Sequence, residues 1–379
     1  MKSVPKPKKN ANQSNYFGAN IFDQMPEQGT WHQERKKAIL AKYPQVKDLC
    51  KPDPITFPVT LALLAGHLTT SYLLSKYDAS WFTVVAASWV LGSWFCFMLQ
   101  ACGHEGVHGN VFSGYFMNRV QGYVGFMSLW ITPFETFWHP EHLHHHSIVV
   151  DKVLRFGHQR SPFLVKAFLP LFAPFLVQFW LAIQGTVLFI ACCVNLVLYL
   201  LRVKSTPLPQ SFALRPFGSF PSMISYDFML LYLTSTVFWY TWYLNFGIKA
   251  VAYLIVGSAF SNGFHPLGMR NVQEHLVRIT NQPTYSLYYA DSLTWLHALV
   301  SLNINHHIEH HDFSNIPWTK LPRLRRIAPE FYNNMNNYNS YTQVWKEFVF
   351  DEGIPPTAFF DKDLFPSGSS DQTANKKAQ

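Results

Sequence analysis

Charge is what this chain has least of. Only 14% of its 379 residues are Asp, Glu, Lys or Arg, against about 25% in ordinary soluble proteins. The shortage is concentrated in long apolar stretches, which excludes a simple water-exposed globule. Cysteine is also sparse. Cys50, Cys96, Cys102, Cys192 and Cys193 are odd in number and show no paired spacing. They read as small buried hydrophobes rather than a disulfide framework or a zinc ribbon. The first 30 residues are polar and rich in Lys, Asn and Gln, so no cleavable signal peptide is expected there. No internal repeat, nucleotide-binding glycine fingerprint or heme-binding domain is recognisable.

Apolar residues make up 49% of the chain and aromatics 17%. The net charge of +8 comes from basic residues that flank apolar stretches, which suits an anionic membrane surface better than nucleic acid. Residues 1–30 read as a disordered tail and 31–53 as a basic helix lying on the membrane surface. Spans of about 20 residues, enough to cross about 30 Å of hydrocarbon, are expected near 55–75, 81–102, 226–244 and 247–264. The nearly unbroken apolar stretch 163–201, interrupted by Pro170, Pro174 and Gly185, is read as a helical hairpin of two spans, with a helix lying in the interface as the alternative. Arg35, Lys36 and Lys37 place the N-terminus in the cytosol by the positive-inside rule. The later basic loops share that side if 163–201 crosses an even number of times. The expected fold is therefore an all-α integral membrane protein of four to six transmembrane helices. Its cytosolic helical cap would carry histidine boxes. One membrane domain spans 31–358 and a flexible tail covers 359–379.

Seventeen histidines are present, and eleven fall into three clusters: His104 and His108; His139, His142, His144, His145 and His146; His306, His307, His310 and His311. Residues three and four apart share a helix face. His104 with His108, His142 with His145 and His146, and His307 with His310 and His311 can thus converge from three helices. Eight imidazoles exceed the four ligands of a tetrahedral zinc and suit two metals with open positions. Imidazole alone does not choose among iron, zinc, copper and nickel. The first cluster also fits H-E-x-x-H, an intramembrane zinc protease signature, but that reading leaves two clusters unexplained. A His-rich metal transporter would need more ionisable residues inside the spans. Isolated histidines such as His32, His67, His158 and His297 read as ordinary core or surface residues.

In order and spacing the three boxes resemble the membrane fatty-acid desaturase and hydroxylase superfamily. The stretch ILAKYPQVKDLCKPDP (39–54) is similar to the N-terminal signature of its sphingolipid Δ4-desaturase branch. HHIEHHDFSNIPWTKLPRLRRIAPEFY (306–332) and VWKEFVFDEG (344–353) also resemble that branch, and HPLGMRNVQEH (265–275) is similar to the family's segment between the last spans and the third box. Two departures stand out: Glu105 and Val107 replace the branch's usual Asp and Ser, and the second box carries the extra His139 and His144. The resemblance implies a pair of iron ions, O2 as co-substrate, and electrons from cytochrome b5 and its NAD(P)H reductase. It also implies a ninth ligand before the third box. His275, in an N-x-x-E-H pattern with Asn271 and Glu274, is preferred over His265.

The implied substrate is dihydroceramide, oxidised at C4–C5 to a trans alkene. C4 hydroxylation, or desaturation of an acyl-lipid or acyl-CoA, are the alternatives on the same centre. Glu105, Glu274, Glu309 and Asp312 adjoin the ligands and are expected to accept imidazole N–H groups. Trp94, Phe97, Trp130 and Trp138 are candidates for a lipid tunnel, and Asn262, Asn271, Asn303 and Asn305 for polar recognition of the substrate. Lys376 and Lys377 resemble a dilysine endoplasmic reticulum retrieval signal. Elemental analysis of purified protein is expected to show about two irons per chain, the upper count for these ligands. One stoichiometric zinc with no dependence on iron would point to the protease.

Overall fold

In lipid, a helix satisfies every backbone N–H and C=O internally, so long apolar stretches fold as helices. The computed structural model describes residues 31–129, 163–201, 226–275, 284–288 and 299–350. These residues are almost wholly helical, apart from a parallel bridge between Leu287 and Tyr338. Helix α1, Trp31–Lys42, is followed by a 3-10 turn over Pro44–Leu49. Helices α2 (Thr56–Lys76) and α3 (Trp81–Val107) form an apolar hairpin, followed by α4, Tyr115–Phe126. Helix α5 covers Phe163–Leu200 and α6 covers Tyr226–Ser261. Three described helices are long and apolar enough to cross a membrane: α2, α3 and the Tyr232–Ser261 part of α6.

Two stretches depart from one another in an instructive way. The expected hairpin at 163–201 is instead one continuous helix of 38 residues. Its prolines, Pro170 and Pro174, fall near its start, and the Gln184-Gly185-Thr186 stretch beyond them stays within the helix, where the Thr186 hydroxyl donates back to the Ala182 carbonyl at 2.8 Å. Helix α6 does break, at Gly247, with φ 71° and ψ −171°. That left-handed conformation is cheap only for glycine. Both arms then reach the same part of α5: Gln178 donates to Ser258 at 3.1 Å, while Thr186 and Tyr232 hydroxyls lie 2.7 Å apart. A straight helix would separate positions 232 and 258 by about 39 Å, whereas 178 and 186 are about 12 Å apart. The chain therefore folds back sharply at Gly247, as the expected pair 226–244 and 247–264 requires.

The helices meet closely where side chains are absent. A π-helical turn at Ser88–Gly92 interrupts α3, and a Cβ on Gly257 would lie 2.9 Å from the Gly92 Cα. Nearby, His67 is fully buried, with its ring nitrogens 3.3 Å from the Tyr253 hydroxyl and 3.5 Å from Cys96 Sγ. It behaves as a satisfied core histidine.

A group of shorter helices gathers where α2 begins and α3 ends, since Asp53 N–H donates to the Asn110 carbonyl at 2.8 Å. It comprises α1, α7 (Arg270–His275), α8 (His307–Asp312), α9 (Leu321–Ile327), α10 (Pro329–Tyr332) and α11 (Tyr341–Phe350). Helix α1, expected on the membrane surface, has a protein partner. Ile39, with Val46 and Leu49 beyond it, packs against Ile308, Phe313, Ile316, Leu321 and Leu324. The expected tails at 1–30 and 359–379 lie outside the described residues.

Gly257→Ala is expected to cost about 1–3 kcal/mol through overpacking, read as a lower thermal midpoint in detergent. Gly114→Ala, where a Cβ would meet nothing within 4 Å, should leave the midpoint unchanged.

Candidate metal centre

The first box occupies the last turn of α3. Gly109, at φ 71°, ends that helix, and Asn110 N–H returns to the Glu105 carbonyl at 3.0 Å. His104 and His108, one turn apart, bring their Nε2 atoms to 3.1 Å. The third box sits on α8, entered through a tight turn in which Leu302 and Asn303 take φ of 47° and 54°. A leucine in that region stores strain of roughly 1–3 kcal/mol. Asn303 steadies the turn by donating to the Trp318 carbonyl at 3.1 Å, and Asn305 by donating to the Leu287 carbonyl at 2.8 Å.

The two boxes converge. The His310 ring lies 4.8 Å from those of both His104 and His108, and one nitrogen from each of the three falls within 4.8 Å of the others. His307 and His311 pair separately, at 4.5 Å, and each stands 6.0 Å from His310. The third box is therefore divided: one imidazole joins the first box and two form a neighbouring group. The chemistry of the donor set fits metal binding. Two nitrogens about 2.1 Å from one ion in a tetrahedral site are roughly 3.4 Å apart, close to the 3.1 Å His104–His108 separation.

The carboxylates are placed less uniformly than expected. Glu274 Oε1 lies 3.6 Å from His307 Nδ1 and 3.5 Å from Arg270, beside a box imidazole as anticipated. Glu309 instead meets the extra histidine, His306, at 2.9 Å, and accepts from Ser286 at 2.9 Å and Tyr288 at 2.5 Å. Burial alone would raise its pKa, but His306 and the Tyr288 hydroxyl hold it below the usual carboxylate range. Burial, with the charge of Glu309, pushes the Tyr288 phenol well above its ordinary value. Glu105 accepts the Trp318 N–H at 3.1 Å, which ties the first box to the loop after the third. Asp312 meets α1 rather than a box imidazole: His32 at 2.7 Å and Arg35 through both carboxylate oxygens.

The chain can be placed among known proteins at this point. A sequence profile described as fatty acid desaturase matches residues 79–342. The chain belongs to that family. It is an oxidoreductase family of lipid metabolism, and membership sets aside the zinc protease. A second profile, sphingolipid Delta4-desaturase, matches residues 27–55. A sphingolipid delta(4)-desaturase DES1-like protein of Oryza sativa subsp. japonica is 31% identical over 328 residues, covering 86% of this chain and 88% of that protein. The sphingolipid delta(4)-desaturase DES1 of Gallus gallus is 29% identical over 339 residues, 88% and 92% of the two chains. A Rattus norvegicus protein named sphingolipid delta(4)-desaturase/C4-monooxygenase DES2 is 27% identical over 330 residues, 86% and 90% of the two. No solved structure matches the chain.

Of the other expected residues, the second box (His139, His142, His144, His145 and His146), Trp130 and Trp138 lie outside the described residues. His275 ends α7, next to Glu274, and its side chain is outside the description, as is that of Asn271. His265 accepts the Leu267 N–H at 3.2 Å and stands edge-on to Trp89 at 5.1 Å. Burial lowers its pKa to about 4. With Trp94, Val90, Leu267 and Tyr341 it lines a cavity of about 330 Å³. Phe97 is buried beneath Arg270. Asn262 donates to the Ser258 carbonyl at 3.0 Å, closing its own helix. Like Asn303 and Asn305, it serves the backbone.

His32, Arg35, Thr284, Ser286 and Tyr288 escaped sequence reasoning, and His306, counted in the third cluster, was given no role of its own. The one local signal was His32 and Arg35 at i and i+3 on a single helix face.

His108→Ala or His310→Ala is expected to abolish turnover and lower bound metal without preventing membrane insertion. His139→Ala and His144→Ala should retain more activity. An inactive His144→Ala beside an active His145→Ala would show that the second box is framed differently.

Proposed function

We propose that this protein is an O2-dependent sphingolipid desaturase that introduces a trans C4–C5 double bond into the long-chain base of dihydroceramide. The observation that carries the reading is the meeting of His104, His108 and His310, with His307 and His311 beside them, at one end of apolar helices in a fatty acid desaturase. The relatives' names supply the substrate class. The separation of the third box into two groups supports two metal positions. His142, His145 and His146 would complete the ligands with His275, which is favoured over His265 because Glu274 beside it already reaches His307.

Iron at these positions supplies the O2-dependent oxidising power that no side chain possesses. Two hydrogens leave C4 and C5, O2 takes two electrons from the substrate and two from a carrier, and with two protons from water two molecules of water form. The protein's own part is placement and exclusion of water. Glu274, near His307 Nδ1, favours the N–H on that nitrogen and leaves Nε2 as the donor atom. Glu105 ties the first box to the loop after the third, Glu309 ties the third box to the 284–288 segment, and His307, His310 and His311 are all buried. Cytochrome b5 with its NAD(P)H reductase is the electron source in this reading, and a basic cytosolic face suits an acidic carrier. The topology is four to six spans in the endoplasmic reticulum membrane with both termini cytosolic, in agreement with the dilysine Lys376-Lys377 near the end of the chain.

The rat relative's name, which includes a C4-monooxygenase activity, favours C4 hydroxylation as the second reading. Lipid analysis after expression in cells lacking Δ4-desaturation distinguishes them. The expected product is a new Δ4-unsaturated ceramide. Phytoceramide would establish the hydroxylase, and unchanged sphingolipids with newly unsaturated acyl chains would overturn both.

A further inference from the structure

Helix α8 has only six residues, too few to hold itself in place, since isolated helices shorter than about 12–15 residues are marginal in water. Yet it aims His307, His310 and His311. Something outside the helix must fix its direction, and at its C-terminal end that support comes from the other end of the chain.

Asp312, the last residue of α8, has a side chain with no solvent exposure. Its Oδ1 accepts from His32 Nδ1 at 2.7 Å, and the Arg35 guanidinium spans both oxygens at 3.0–3.2 Å. Neither partner is itself loose. His32 is 2% exposed, its Nε2 lies 2.9 Å from the Thr284 hydroxyl, and its ring stands 5.1 Å from that of His311. Arg35 also donates to the Phe331 carbonyl at 2.8 Å and stacks over Trp31 at 4.4 Å. A planar guanidinium held by a fork and a stack has little freedom left, and lysine does not reproduce that geometry.

We propose that His32 and Arg35 of α1 are positioning residues of the metal centre. They fix Asp312, and through it the direction of α8 and the place of His311. This rests on the iron reading above and adds to it a role for the segment that carries the sphingolipid Delta4-desaturase profile, residues 27–55. The profile's segment would then belong to the centre's framework, although none of its side chains is assigned as a ligand.

The test uses full-length protein in detergent, stripped of metal and titrated anaerobically with Fe(II). Bound iron is read by elemental analysis, and the thermal midpoint is read with and without iron. His32→Phe and Arg35→Gln are expected to weaken iron binding about 10- to 100-fold, the usual effect of losing a group behind a ligand. Their iron-induced rise in midpoint should shrink accordingly. Arg35→Lys, which keeps the buried charge paired and so protects the fold, should fall between these and wild type. Arg35→Gln combined with Asp312→Asn should be no weaker than Asp312→Asn alone, because both act through one contact. Lys42→Ala loosens the far end of α1, where Lys42 pairs with Glu330 at the surface, and should leave iron binding unchanged.

The proposal is overturned if the His32 and Arg35 variants bind iron as wild type does while stripped and loaded midpoints fall equally. It is also overturned if Lys42→Ala weakens binding as much as they do. A wild-type chain that takes up no iron overturns the reading beneath it as well. Wild-type uptake with unaltered variants overturns this inference alone.

Discussion

An imidazole cluster is only as well aimed as the helices that carry it, and here the critical helix is one and a half turns long. Buried carboxylates compensate. Glu309 and Asp312 have side chains with no solvent exposure, and a buried carboxylate without partners is strongly destabilising. Each is therefore a demanding contact, satisfied only when several elements arrive together. Glu309 draws in the 284–288 segment through Ser286 and Tyr288, and Asp312 draws in α1. Ser286 Oγ also accepts the Ile308 N–H at 2.9 Å, which caps the start of α8 from the same side. The need to satisfy these charges gives these short helices a definite geometry, where apolar packing alone would tolerate several.

The membrane end of the site is set by a different kind of contact. Gly92 meets Gly257, and a Cβ on Gly125 would come within 2.7 Å of the Gly103 backbone. Backbones this close fix the depth and rotation of α3, as small residues do at helix interfaces in lipid. Since His104 and His108 lie on the last turn of α3, their place is inherited from that packing. Trp318 then joins the two halves: its backbone N–H reaches Glu105 and its indole N–H donates to Thr56 at 3.0 Å.

Much of this could be read in the residues beforehand. The i, i+4 spacing put His104 and His108 on one face, where their Nε2 atoms meet, and the apolar stretches gave α2, α3 and the fold at Gly247. The failures have physical causes. Helical spacing treats His307, His310 and His311 as one group, but a nearby first box captures His310 and divides them. Hydropathy cannot tell one long helix from a hairpin when the prolines fall near its start, hence the error at 163–201. Adjacency in sequence suggested that all four carboxylates serve ligands, whereas Glu105, Glu309 and Asp312 bind other elements. His32 looked like an isolated histidine because its partner is 280 residues away, and no local pattern records such a pairing.

That separation also has a temporal meaning. Translation proceeds at about 5–20 residues per second, so roughly 14–56 s pass between the synthesis of His32 and that of Asp312. Throughout that interval α1 has the adjoining turn Pro44–Leu49 to pack against but lacks its partners in α8 and the helices after it, and its apolar side chains must be tolerated or sheltered. The helix that is made first is thus seated among the last. The contact between the two ends of the chain closes only on a polypeptide whose spans and boxes have already been made.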